Sequence, residues 1–166
     1  LIAQSKDAGV FARVYLAPAW VCPYDGPVPA DHVLRIAERL GHADELAIAD
    51  TIGHAHPAEV GTLFERLANV APIERFAAHF HDTQGLGLAN AYAAIQAGVK
   101  TLDSSVAGLG GCPFAPGAAG NLATEDLVLL AHKMGLETGI NLDLLWDAVE
   151  IAGGLRHEVD LLLFKE

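Results

Sequence analysis

The sequence predicts an α/β protein in which four parallel β-strands alternate with helices, as in half of a (β/α)8 barrel. Three observations indicate this class. Short segments rich in apolar and β-branched residues alternate with longer segments that carry an apolar stripe at helical spacing. The connections between them are short, which favours parallel strands joined by right-handed crossovers. Polar residues cluster where each predicted strand ends, which is where such barrels carry their chemistry.

The predicted strands are four short apolar segments, residues 11–17, 45–50, 75–81 and 100–106. The predicted helices are the end of a helix at 1–9, then residues 30–40, 57–71, 88–97, 122–134, 141–152 and 157–164. Residues 20–29 are predicted to form a loop. Asn141 is expected to cap the helix that follows it, and Gly153 and Gly154 are expected to end that helix.

The composition argues against several classes of function. The chain has 166 residues, 52% of them hydrophobic, which predicts one globular domain over residues 1–166. Its formal net charge of −11 argues against nucleic-acid or anionic-membrane partners. No apolar run approaches the roughly 18 residues of a membrane span. No secretion signal is recognisable and there are only two cysteines, so we expect a protein of a reducing compartment that is not secreted.

The start of the chain predicts that it belongs to a longer sequence. The first residue is Leu1 and the only methionine is Met134. Residues 1–9 have the pattern of a helix end with a glycine stop. We therefore expect the chain to begin inside a larger protein.

Two histidines lie one residue apart at the end of the third predicted strand. Residues i and i+2 of a strand face the same way, so His79 and His81 should point to one side, with Phe80 opposite. Two imidazoles on one side suit a divalent metal ion, and Asp82 is placed to orient one of them. The alternative is that both are ordinary polar residues at a strand end.

A glycine-rich segment, residues 108–121, follows the fourth predicted strand, and its five glycines and two prolines predict a loop. It contains Cys112, either an acid/base group or an inert small side chain. It ends at Asn121, whose amide oxygen is either a third metal ligand or a helix N-cap. The other cysteine, Cys22, is expected to have a structural, buried role.

Asp50 ends the second predicted strand and precedes Thr51, Ile52 and Gly53. An acid here could assist proton transfer or orient a substrate hydroxyl. The alternative is a carboxylate that closes the following turn. His54 and His56, in the loop beyond, are expected to face solvent.

Several motifs together resemble the 3-hydroxy-3-methylglutaryl-CoA (HMG-CoA) lyase family. The longest is Gly108-Leu-Gly-Gly-Cys-Pro-Phe-Ala-Pro-Gly-Ala-Ala-Gly-Asn-Leu-Ala-Thr-Glu-Asp126. The others, in chain order, are Cys22-Pro-Tyr-Asp-Gly26, Asp50-Thr-Ile-Gly53, His79-Phe-His-Asp-Thr83 and Asp103-Ser-Ser-Val106. The resemblance implies the C-terminal (β/α)4 half of a TIM (β/α)8 barrel and the family reaction, retro-Claisen cleavage of HMG-CoA to acetyl-CoA and acetoacetate.

The resemblance also implies roles for individual residues. The implied ligands to Mg²⁺ or Mn²⁺ are His79, His81 and Asn121. The implied catalytic residues are Cys112, Asp50 and His79, and the implied substrate contacts are Thr51, Gly110 and Gly111.

One family feature is not found in this sequence. The family's first strand carries an Arg-Asp pair, which belongs to an N-terminal half-barrel that we expect to be missing here. The chain alone should therefore be inactive or need that half as a partner. For the complete protein we expect an acyl-CoA substrate, a homo-oligomer, and a location in the bacterial cytoplasm or the mitochondrial matrix.

The sequence is also compatible with other functions. One is a lyase for a related thioester such as citramalyl-CoA. Another is a Claisen-condensing synthase of the isopropylmalate or homocitrate type, which shares the His-x-His motif, although the Gly-Gly-Cys-Pro loop argues for cleavage. A third, of a different class, is an inactive half-barrel that only dimerises or binds CoA.

Overall fold

The structure, a computed structural model, describes residues 1–111 and 120–163, with side chains described as far as residue 153. The helices are α1 (Ile2–Asp7), α2 (Ala30–Arg39), α3 (Pro57–Leu67), α4 (Gly87–Gln96), α5 (Thr124–Lys133) and α6 (Leu142–Leu163). The strands are β1 (Arg13–Leu16), β2 (Val21–Cys22), β3 (Gly26–Pro27), β4 (Glu45–Asp50), β5 (Phe76–Phe80) and β6 (Thr101–Asp103).

The main sheet is parallel and follows the order of the chain. β1 pairs with β4, β4 with β5, and β5 with β6. A helix lies in each connection, as right-handed crossovers between parallel strands require. The predicted α/β alternation is therefore confirmed. The predicted loop at 20–29 instead contains a short antiparallel hairpin of β2 and β3, whose strands of two residues are too short to show a sequence period.

One face of this sheet is apolar and packs against the helices. Register pairs Leu46 with Phe76 and Ile48 with Ala78, so these side chains share a face. They belong to the hydrophobic core together with residues of α3, including Phe64 and Leu67, which are fully buried. Each large apolar side chain buried in this way contributes roughly 1.5–3 kcal/mol of stability.

The opposite face of the sheet is polar. Arg13 is in register with Glu45, and His79 is in register with Asp103. The middle strands contribute the small side chains of Ala47, Ala49 and Ala77 to the same face. Polar side chains on this face therefore lie around small alanine side chains of the two middle strands.

This sheet is curved with the polar face inward. Arg13 and Tyr15 of β1 both hydrogen-bond Asp103 of β6, although β4 and β5 lie between those strands. In a flat sheet, strands about 4.8 Å apart would separate β1 from β6 by about 14 Å, farther than these side chains span. The small alanine side chains of the two middle strands allow this curvature, because they take up little space on the inner face.

The helices differ from the predictions mainly at their ends. The helix predicted to continue to residue 71 ends at Leu67. The predicted helix stop at Gly153 and Gly154 is wrong, because α6 continues through both glycines. A glycine inside a helix is unfavourable by only about 1 kcal/mol, and burial of Leu145 and Ala152 anchors the helix before them. The predicted cap is confirmed, since Asn141 Oδ1 accepts the Leu144 N–H at 3.1 Å.

Among the helices that the structure describes, each is too short or too polar to cross a membrane.

Candidate functional site

The two histidines lie where they were predicted. His79 is in β5 and His81 follows that strand directly, so strand alternation places both imidazoles on the polar face. Their ring centroids are 5.3 Å apart. Phe80, between them, is buried in the core on the other face.

Asn121 lies beside His81, because residues 120–122 run antiparallel to residues 80–82. His81 and Asn121 form an isolated β-bridge, flanked by hydrogen bonds from Asp82 N to Gly120 O and from Leu122 N to Phe80 O, at 2.9 and 3.1 Å. The structure thus brings the three proposed metal ligands together, although they come from segments 40 positions apart in the sequence.

The Asn121 side chain is oriented by the glycine-rich segment. Its Nδ2 donates to Leu109 O at 2.8 Å and to Gly110 O at 3.3 Å. Because the amide nitrogen is held in this way, the orientation of Oδ1 is fixed as well. The alternative interpretation as an N-cap is wrong, since α5 starts at Thr124 and its N-cap position is Ala123.

The atoms left unpaired at this site fit a divalent metal ion. His81 Nδ1 and Asn121 Oδ1 are buried and have no hydrogen-bond partner among the described residues. A buried polar atom without a partner is unfavourable by about 1–3 kcal/mol, and imidazole nitrogen and amide oxygen both bind divalent metals. Among the side chains described, those of residues 1–111 and 120–153, no three His, Cys, Asp or Glu residues are grouped to hold a metal. The donor set found here is two imidazoles and one amide.

The environment of His81 keeps its ring neutral. The side chain is 7% exposed. Burial lowers the pKa of His81, and the neighbouring His79 lowers it further. A neutral imidazole is the form that binds a metal.

A polar network that the sequence did not reveal surrounds His79. Asp103 Oδ1 accepts from Arg13 Nη2 at 2.7 Å, and Asp103 Oδ2 accepts from Tyr15 Oη at 2.9 Å. The same Oδ2 lies 3.3 Å from His79 Nδ1. Burial alone would raise the pKa of Asp103, but the hydrogen bonds from His79, Arg13 and Tyr15 outweigh it and lower the pKa to about 2. Asp103 is thus a carboxylate at neutral pH.

Asp82, which was expected to orient a histidine, has a different partner. Its Oδ1 accepts the Gly87 N–H at 2.7 Å at the start of α4. A side chain at Gly87 would begin 2.9 Å from that oxygen, so the glycine allows the close approach. The acid that contacts His79 is Asp103.

Asp50 lies apart from the two imidazoles. Its register partner is Phe80, so it shares the face of the core, and it is 1% exposed. Both its oxygens accept backbone N–H groups, from His54 and Ala55, each at 3.0 Å. Burial raises the pKa of Asp50, and these two bonds partly offset the rise. The interpretation of Asp50 as the carboxylate that closes the turn is confirmed. Its implied catalytic role stays a prediction.

The other predicted substrate contacts have mixed surroundings. Thr51 follows β4, and its Oγ1 is buried without a partner among the described residues. Gly110 supports Asn121, because a side chain at Gly110 would begin 2.8 Å from Asn121 Nδ2. Gly111 is exposed, with open space where a side chain would start.

The remaining predicted residues are the two cysteines and the two histidines of the loop after β4. Cys112 lies outside the described residues. Cys22 is half-buried, with Sγ 3.7 Å from Asp25 Oδ2. His54 and His56 are exposed, as predicted.

Fold and site together define an α/β protein with a polar, histidine-containing site at the carboxyl ends of parallel strands. The family profile described as HMGL-like matches residues 14–151, and the chain therefore belongs to the HMGL-like family.

The comparisons with individual proteins agree with this assignment. The chain is 44% identical over 145 residues to the hydroxymethylglutaryl-CoA lyase of Pseudomonas mevalonii, a match that covers 86% of this chain and 48% of that protein. The solved structure of the HMG-CoA lyase of Brucella melitensis matches with a TM-score of 0.90 and 39% identity, covering 94% of this chain and 56% of that one. The HMG-CoA lyase of Acinetobacter baumannii, solved in complex with coenzyme A and 3-methylmalate, matches with a TM-score of 0.82 and 34% identity, covering 93% and 51%. The chain thus spans about half the length of these relatives.

Proposed function

We propose that this chain contributes half of the active site of a hydroxymethylglutaryl-CoA lyase, an enzyme that cleaves HMG-CoA to acetyl-CoA and acetoacetate. The observation that carries the proposal is the meeting of His79, His81 and Asn121, with unpaired atoms on His81 and Asn121, in a chain whose relatives bear that name. The coenzyme A complex of one relative supports an acyl-CoA as the substrate class.

His79, His81 and Asn121 would hold a divalent ion, Mg²⁺ or Mn²⁺. When bound, such an ion supplies a Lewis acid beside the substrate hydroxyl. The chain offers three ligands, whereas hard divalent ions take about six, mostly oxygens. The remaining ligands must come from substrate, water or the half-barrel that we expect to be missing.

The reaction needs proton transfer at two points. The tertiary hydroxyl loses its proton, the C2–C3 bond breaks, and the resulting thioester enolate gains a proton at C2. We assign the second proton to the Cys112 thiol, which stays a prediction because that residue lies outside the described part of the chain. His79 was also predicted to be catalytic. Because its Nδ1 faces Asp103, Nε2 is the nitrogen left for the ion, and we assign His79 to holding the ion and not to exchanging a proton with substrate.

The remaining predicted residues shape the site. Asp50 holds the turn after β4 through His54 N and Ala55 N, and so positions Thr51 at its start. The unpaired Thr51 hydroxyl is a candidate hydrogen-bond donor to substrate. Gly110 and Gly111 remain candidate contacts for the acyl group.

We further propose that residues 1–166 form one unit, the C-terminal (β/α)4 half of a TIM barrel. The inward curvature that joins β1 to β6 supports this, since closing a barrel requires a curved sheet. So does the match to about half of each relative. The complete protein is proposed to form a homo-oligomer in the bacterial cytoplasm or mitochondrial matrix.

The proposal is tested with the chain assembled with the missing half-barrel. We expect Mn²⁺-dependent formation of acetoacetate from HMG-CoA, and little turnover of citramalyl-CoA or of acetyl-CoA with an α-keto acid. His81→Gln should abolish turnover, whereas the exposed His132→Gln should leave it unchanged. Condensation of acetyl-CoA with the keto acid, or turnover that ignores His81→Gln, would contradict the proposal.

A further inference from the structure

Asp103 is bonded from three sides on the polar face of the sheet. Arg13 donates to one carboxylate oxygen, and Tyr15 donates to the other, which also faces His79 Nδ1. Arg13 Nε lies 2.7 Å from Glu45 Oε1 as well, so the guanidinium is shared by two carboxylates. Side chains of β1, which is distant in sequence from β6, therefore fix the position of the Asp103 carboxylate next to His79, a proposed metal ligand.

The hydrogen-bonding capacity of these groups determines the state of the His79 ring. A carboxylate only accepts hydrogen bonds, so the nitrogen facing it must carry the proton. Neutral imidazole has one N–H, and placing it on Nδ1 leaves the lone pair on Nε2. The Tyr15 ring meets His79 edge to face with centroids 6.0 Å apart, which further restricts the tilt of the imidazole.

The second histidine has no comparable restraint. His81 Nδ1 is buried without a hydrogen-bond partner among the described residues. The two proposed ligands therefore differ: a carboxylate fixes the tautomer and orientation of His79, whereas among the described residues no group pairs with Nδ1 of the buried His81.

We propose that Asp103, held by Arg13 and Tyr15, is a positioning residue that keeps His79 in the Nδ1–H tautomer and leaves its Nε2 free to bind a metal ion. The tautomer follows from the contacts alone, whereas the metal-binding consequence rests on the proposed function. Carboxylates that orient a ligand histidine in this way typically change metal affinity by about 10–100-fold when they are removed.

The test compares a variant that removes the carboxylate beside His79 with two variants that leave this carboxylate in place. Asp103→Asn keeps the shape of the side chain and removes the carboxylate. Glu45→Gln is the matched control, because Glu45 binds the same Arg13 but has no contact with His79. Tyr15→Phe keeps the ring and removes only the hydroxyl that holds Asp103, so it gives a milder variant should Asp103→Asn fail to fold.

The first readout is the tautomer of His79 in the metal-free protein, measured by long-range ¹H–¹⁵N correlation NMR where the imidazoles are neutral. We expect Nδ1–H in the wild type and in Glu45→Gln, loss of that preference in Asp103→Asn, and a partial loss in Tyr15→Phe. An Nε2–H tautomer in the wild type, or an unchanged tautomer in both Asp103→Asn and Tyr15→Phe, would overturn the proposal.

The second readout is Mn²⁺ affinity, measured by electron paramagnetic resonance. We expect about 10–100-fold weaker binding for Asp103→Asn and unchanged binding for Glu45→Gln. Equal affinities of wild type and Asp103→Asn, despite a changed tautomer, would overturn the metal-binding part. A tautomer that changes in Asp103→Asn, in a protein whose wild type binds no Mn²⁺, would support the positioning role and contradict the proposed metal site instead.

Discussion

The burial of His81 makes the stability of the folded chain depend on pH. Burial and the neighbouring His79 lower the pKa of His81 below the ordinary value of 6.5. Below that value the unfolded chain binds a proton at this residue and the folded chain does not, so the free energy of unfolding falls as pH drops. We expect this loss to begin near pH 6.5 and to continue as the pH falls toward the lowered pKa of the folded state.

The measurement is urea unfolding of the metal-free chain at a series of pH values. His81→Gln should flatten the pH dependence between about pH 7 and 5, where an ordinary histidine titrates. His32→Gln, at an exposed position on α2, should keep it. An equally steep dependence in His81→Gln would show that His81 is not the group responsible.

The sequence identified the residues of the site that are close together in a strand or belong to a recognisable motif. His79 and His81 could be paired because strand alternation relates residues two apart. Asp103 could not be assigned its role, because its partners Arg13 and Tyr15 lie 90 and 88 positions away and reach it only through the curvature of the sheet. The role of Asp50 was also ambiguous, since an acid at a strand end can face either side of the sheet until the register is known.

At the scale of elements, the glycine-rich segment depends on close contact between its own ends. Gly120 has φ +96°, and a side chain there would begin 2.4 Å from Gly108 O and 2.7 Å from Gly110 O. We expect Gly120→Ala to displace the neighbouring Asn121 and so to weaken Mn²⁺ binding. It should also destabilise the chain by several kcal/mol through steric clash and backbone strain, and the backbone strain alone is about 1–3 kcal/mol.

The control for Gly120→Ala is a glycine that also has a positive φ but has open space where a side chain would begin. Gly139 has φ +71°, and no atom lies within 4 Å of the point where a side chain would begin. Gly139→Ala should therefore show only the backbone penalty, about 1–2 kcal/mol, and normal Mn²⁺ affinity. Equal effects of the two substitutions on unfolding and on affinity would contradict the role given to the Gly120 contacts.

The continuity of α6 gives a second prediction at this scale. Gly153 lies inside the helix, is exposed, and has no atom within 4 Å of the place where a side chain would start. Gly153→Ala should raise the free energy of unfolding by about 0.5–1 kcal/mol, because alanine loses less backbone entropy in a helix. Gly135→Ala, at a helix end with φ +76°, should lower it. A loss of stability in Gly153→Ala, measured by urea unfolding, would favour the helix end that the sequence predicted.

The α/β alternation was predictable element by element, but the ends of elements and the small hairpin were not. Strands and helices have periods of two and 3.6 residues, which a sequence shows directly. The end of a helix at a glycine depends on a small balance of about 1 kcal/mol, which packing of Leu145 and Ala152 can reverse in α6.

For the molecule as a whole, the curved sheet leaves its polar face partly open. β1 and β6 each have one neighbour in the main sheet of the described residues. Tyr15 is 49% exposed on this face, and the side chain of His79 is 25% exposed. Water therefore reaches the site, whereas cleavage through an enolate requires an enclosed one.

From this exposure we expect the 166-residue chain alone to show no lyase turnover, even at saturating Mn²⁺. Its three ligands leave about half of the coordination of a hard divalent ion to other groups, and its open face cannot exclude water. Acetoacetate formation from HMG-CoA should appear only when the missing half-barrel is supplied, and it should then require His81. Because an incomplete site and an unfolded chain would both give no turnover, circular dichroism of the chain alone separates the two causes. Full turnover by the chain alone would mean that two imidazoles and one amide suffice, and that the half-barrel interpretation of the site is wrong.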